Sequence, residues 1–179
     1  MALAPGKKAE IVWGEFSPHL QMPPKAGLVA TPSPDGKVLS LTFSGLELRC
    51  GDPGTPKSAS LALAGVQALT LPKALPWSGT LAVVRGAFNG NNGARGTLLA
   101  GIGGGVFSRV FSAPISGDDL SEDFSIPVFS PEGAVTVGGD AAVETTPLTL
   151  SLVLVAAAPG ERASVILSVD SIDLSLWTG

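Results

Sequence analysis

The chain has 179 residues, 45% of them apolar and only 15% charged, with a net charge of −4. Mean hydropathy is +0.39, which argues against a disordered chain, because such chains are short of apolar residues. Eleven Lys and Arg scattered along the sequence make no basic patch, which argues against nucleic-acid binding.

Residues 1–8 read as a flexible N-terminal segment, and 9–179 as one domain. The opening MALAPGKKAE lacks the apolar core of a signal peptide. Short apolar runs follow, punctuated by 23 glycines and 15 prolines. Their alternation has period two, the signature of half-buried strands. The predicted strands are 9–16, 26–31, 37–48, 58–66, 79–88, 95–112, 122–130, 146–156 and 162–176. Many short strands with Gly/Pro turns imply an all-β, single-domain antiparallel β-sandwich of about eight or nine strands, jelly-roll-like and barrel-like closure both remaining open.

The first strand carries Trp13, expected to pack in the core. The only histidine, His19, sits in the Pro-rich FSPHLQMPP with no partner constellation, and reads as solvated. Pro34-Asp35-Gly36 is a turn, with φ preset at Pro and a positive φ available at Gly. In 37–48, Leu39, Leu41 and Phe43 are odd while Leu46 and Leu48 are even, and parity changes at Ser44-Gly45. Such a change marks a β-bulge or a strand leaving one sheet for another. Cys50 is the single cysteine, so no intrachain disulfide can form, and it reads as inert. Trp77 follows Pro76 in a loop and is the best exposed aromatic for stacking on a sugar ring.

The stretch from Gly86 to Gly105 holds eight glycines in twenty residues. A phosphate loop would need Gly-Lys-Ser/Thr, or a third glycine opening a helix, and neither is present. Asn89-Gly90 and Asn92-Gly93 predict a hairpin over Asn89–Gly93, since Asn and Gly tolerate positive φ. Gly103, Gly104 and Gly105 then mark a bulged strand, or a place where a backbone, a ligand or a neighbouring subunit approaches closely. In SGDDLSEDF, Asp118, Asp119, Glu122 and Asp123 fall within six residues. Oxygen ligands suit calcium, although EF-hand spacing is absent; the alternative is a solvated acidic loop that protects an edge. No other cofactor is indicated.

Near the end, Thr145 to Gly160 is the longest charge-free apolar stretch, but it is short, alternating and contains Pro147 and Pro159, so no transmembrane segment is expected. Leu148, Leu150, Leu152 and Leu154 share one face. Val165, Leu167 and Val169 do likewise, and parity then switches at Asp170-Ser171 to Ile172, Leu174 and Leu176.

The order of an early strand Ala9–Phe16, Ser33-Pro34-Asp35-Gly36 before the Val38–Phe43 strand, Arg85-Gly86 at a strand end, and the closing Leu167-Ser168-Val169-Asp170-Ser171-Ile172-Asp173 resembles the family called domain of unknown function 4360. That resemblance implies a small secreted or envelope-associated all-β protein of unassigned activity, with no catalytic residues to carry over. The residues alone also allow a cytoplasmic location. With no acid–base or nucleophile constellation visible, the chain reads as non-enzymatic, a structural or binding protein that self-associates or contacts a surface. The alternative is a carbohydrate- or calcium-binding module. The partners this implies are a second copy of the chain or a polysaccharide surface.

Overall fold

A computed structural model describes residues 11–18, 26–72, 79–115, 118–131 and 143–177; the N-terminal segment 1–8 lies outside them. Among the described residues there are eleven strands and no helix: β1 (Val12–Pro18), β2 (Gly27–Pro32), β3 (Val38–Ser44), β4 (Glu47–Cys50), β5 (Ser58–Pro72), β6 (Gly79–Gly90), β7 (Arg95–Ile102), β8 (Gly105–Ser112), β9 (Leu120–Pro131), β10 (Val143–Ala157) and β11 (Val165–Trp177). They form two antiparallel sheets. Sheet I has the order β1-β5-β10-β7-β8, and sheet II the order β2-β3-β11-β6-β9 with β4 also on β11.

The alternating residues do what their pattern requires. Leu39, Leu41 and Phe43 of β3, Leu148 to Leu154 of β10 and Val165 to Val169 of β11 point inward and are buried. One cluster joins the inner faces of both sheets. Removing that much apolar surface from water is the dominant favourable term for the fold. Phe88, Phe111 and Phe124 form a ring series within it, with centroids 5.3 Å and 5.1 Å apart. Trp13 is half-buried against this core, and its Nε1 donates to Gly36 O at 2.7 Å.

The two parity switches lie side by side. Strand β11 shifts register against β6 between Val169 and Ser171, leaving Asp170 as the extra residue. Opposite it, the chain breaks between β3 and β4 at Gly45, φ 71°, and Leu46 O accepts from Val169 N at 3.0 Å. Both β3 and β4 remain paired with β11. The bend therefore belongs to the sheet as a whole, and it keeps apolar residues inward on either side.

Three expectations are corrected. The 37–48 strand is two strands, for the reason just given. The 95–112 strand is the β7–β8 hairpin, with Ile102 paired to Gly105 across a two-residue turn. Gly103 has φ 54° and Gly104 no positive φ, the pattern of a type II′ turn. The bulge expected at Gly103–Gly105 is that turn. Finally, the Asn89–Gly93 hairpin is a crossing between sheets, since β6 lies in sheet II and β7 in sheet I. Its turn chemistry is as expected: Asn92 and Gly93 have φ 49° and 76°, and Ala94 N donates to Asn91 O at 2.9 Å.

Candidate functional site

At one end of sheet II, strands β9, β6 and β11 lie side by side, and the chain leaving β4 closes the row. Strand register sets what meets there. Ile166, Asn89 and Ser121 are paired across the three strands, and Val165, Gly90 and Leu120 form the next row. Alternation sends Asn89 and Ser121 outward and Gly90 and Val165 inward. With Asn91, Asp119, Ser164 and Asp52 these residues line an open cleft of about 390 Å³. That volume lies within the range of small-molecule sites, about 300–1,000 Å³.

The polar groups of the cleft are held in place. Ser121 Oγ donates to Asn89 Oδ1 at 2.6 Å. Ser164 N donates to Asn91 Oδ1 at 2.8 Å, and Asn91 N donates back to Ser164 O at 3.1 Å. Asn92 Nδ2 donates to Arg162 O at 2.9 Å, tying the crossing turn to the approach to β11. With their amide oxygens engaged, the Nδ2 groups of Asn89 and Asn91 have no acceptor among the described residues and remain as donors. Asp52 O accepts from Thr55 N and Thr55 Oγ1, both at 2.9 Å, which fixes the loop after β4. Among the described residues, the Asp52 and Asp119 carboxylates have no ion-pair partner. Among the described residues, the lining combines amide donors, hydroxyls and carboxylate acceptors over apolar Leu120, Val165 and Ile166, with no Lys, Arg, His or Cys. Paired donors and acceptors of this kind suit a neutral polyhydroxylated ligand.

The residues singled out from sequence are distributed differently. Asp118 and Asp119 are exposed before β9. Glu122 and Asp123 are successive residues of β9 and lie on opposite faces. Glu122 turns toward the sandwich edge and is ion-paired with Arg109, which also lies 4.9 Å over the Phe111 ring. Among the described residues no three His, Cys, Asp or Glu converge on one point. The four carboxylates therefore do not form the single cluster that their sequence spacing suggested, and only Asp119 reaches the cleft.

Gly103–Gly105 lies at the other end of β9. A Cβ on Gly105 would stand 1.9 Å from Phe129 O, and one on Gly103 would stand 2.3 Å from Ser130 Oγ; Gly104 has nothing within 4 Å. What comes close is the chain's own β9, its backbone at Gly105 and the Ser130 side chain at Gly103, where the edges of the two sheets converge. Trp77 and His19 lie outside the described residues. Cys50 is fully buried, its Sγ 3.6 Å from Ala156 O, and burial pushes its thiol pKa up. An apolar core position makes it unreactive.

Sequence reasoning reaches Asn89 only as a turn former and passes over Asn91, Ser121, Ser164 and Asp52. They lie far apart in the chain, and only strand register unites them.

No protein-family model and no curated protein matches the chain. Among solved structures, it is similar to the carbohydrate-binding module TmCBM61 in complex with β-1,4-galactotriose, at 10% identity and TM-score 0.32, over 92% of this chain and 88% of that one. It is also similar to the family 11 carbohydrate-binding module of the cellulosomal cellulase Lic26A-Cel5E of Clostridium thermocellum, at 13% identity and TM-score 0.22, over 93% and 86% of the two chains.

Proposed function

We propose that this chain is a non-catalytic binding module that holds a neutral saccharide in the cleft at the end of sheet II. The observation that supports this reading is the lining itself: Asn89, Asn91, Ser121 and Ser164 pinned by hydrogen bonds, with Asp52 and Asp119 as acceptors and no cationic side chain among the described lining residues. Pinned side chains lose little entropy on binding, which favours weak but specific hydroxyl recognition. A saccharide partner would be met at or beyond the cell surface, the location that the resemblance in the sequence implies.

Titration calorimetry against neutral oligosaccharides, namely β-glucan, galactan, xylan and mannan fragments, tests the reading. One or more should bind with Kd of about 10 µM to 1 mM. Asn89→Ala should weaken binding at least about tenfold, or roughly 1.4 kcal/mol, by removing one amide donor and freeing Ser121. Repeating the titration with calcium and with chelator decides whether a cation assists at Asp119. Absence of binding across the panel, binding indifferent to Asn89→Ala, or hydrolysis of the bound glycan would overturn the reading.

A further inference from the structure

Strand β1, at the edge of sheet I, carries a third parity switch. Trp13 pairs with Leu69 and Phe16 with Gln67, so Gly14 and Glu15 together stand against Ala68 alone. That is a β-bulge, and it changes which residues of the strand face the core. Before it, Val12 is exposed and Trp13 half-buried; after it, Phe16 is buried and Ser17 exposed. Both aromatic rings are seated by particular neighbours. Trp13 Nε1 donates to Gly36 O, in the turn between β2 and β3 of sheet II, at 2.7 Å. The Phe16 ring fills the space over Gly65, where a Cβ would stand 2.2 Å from Phe16 Cζ. An odd and an even residue of one strand reach the same side only if the strand bulges between them. A regular strand in either register would turn one of the two rings outward.

Gln67 meets that bulge from within. Its side chain is fully buried, a rare place for an amide. Its Nε2 donates to Gly14 O at 2.8 Å and to Ala68 O at 3.0 Å, two bonds for its two hydrogens. One carbonyl belongs to the bulge and the other to the residue opposite it. There the ladder is interrupted, and a buried carbonyl without a donor is costly. The contacts also fix which way the amide points, because its oxygen could donate to neither carbonyl. Gln67 Oε1 meets no partner among the described residues, so the two bonds come with an unsatisfied acceptor. An apolar residue of the same volume would fill the core without that cost, but it could not hold the bulge. We infer that Gln67 is a register lock. Its amide holds the bulge of β1, and the bulge lets Trp13 and Phe16 clasp the two sheets at once. With β1 so seated, β5 is paired on both sides and is not an open edge.

Nuclear magnetic resonance of the full chain tests this, and the result does not depend on the cleft. Gln67→Met keeps the volume of the side chain and removes both donors. In this variant the cross-strand contacts between Trp13 and Leu69 should be lost. Exchange of the Trp13 indole proton should become at least about tenfold faster. The pairing of Ala64 with Ser151, on the other side of β5, should stay as it is. Thr80→Val is the control. It removes Thr80 Oγ1, the other buried oxygen without a partner among the described residues, but Thr80 lies in sheet II, so β1 should keep its register. If Gln67→Met fails to fold, the smaller Gln67→Leu replaces it. A β1 that keeps its contacts and its indole protection without the Gln67 amide, or loses them equally in Thr80→Val, would overturn the inference.

Discussion

Gly105 shows how a single missing side chain shapes this fold. Its Cα faces the β9 backbone so closely that a methyl group would stand 1.9 Å from Phe129 O. Backbone cannot swing aside as a side chain can, so Gly105→Ala should destabilise the protein by about 1–3 kcal/mol, the usual cost of overpacking. Gly104, one residue earlier, meets nothing within 4 Å; Gly104→Ala should change stability by less than about 0.5 kcal/mol. Denaturant unfolding of the two variants checks the contrast, and equal losses would contradict it. Three adjacent glycines thus differ in role: Gly103 supplies the positive φ of the turn, Gly104 fills an open position and Gly105 admits another strand. In sequence all three look alike, because only the packing of β8 on β9 distinguishes them.

Among the strands, the ladder of β3, β11 and β6 carries a titratable link. Ser40 on β3 donates to Asp173 on β11 at 2.7 Å, and Arg85 on β6 is ion-paired with the same carboxylate. Partial burial works to raise the Asp173 pKa, but Ser40 and Arg85 together hold it below the ordinary value. A carboxyl with a lowered folded pKa stabilises the fold above its unfolded pKa of about 3.9, and the contribution is lost as pH falls through the folded value. Asp173→Asn should therefore be less stable than wild type at pH 7, with the gap closing below about pH 4. Thermal melts across that range check this, and a gap independent of pH would contradict it. The strands of this ladder were legible because Leu39–Phe43 and Ile172–Leu176 alternate cleanly. The parity change at Ser44-Gly45 was legible too, but not that it divides the run into two strands of one sheet; nor was the crossing at Asn91–Ala94. A type I′ turn looks the same in sequence whether the strands it joins pair with one another or enter different sheets. The cleft was illegible for a related reason: Asp52, Asn91, Asp119 and Ser164 become neighbours only through the register of β4, β11, β6 and β9.

Seen whole, the molecule has two outer faces that differ in charge on one shared core. Sheet II presents Asn, Ser, Asp and Arg and ends in a pinned polar cleft, whereas sheet I presents small uncharged residues. Backbone amide chemical-shift mapping during titration with a neutral oligosaccharide that the panel identifies as a ligand tests the saccharide site most directly. Shifts should concentrate at Asn89–Asn91, Asp119–Ser121 and Ser164–Ile166, leaving Thr97–Gly101 and Val106–Val110 of sheet I unchanged. Shifts confined to sheet I would contradict the account.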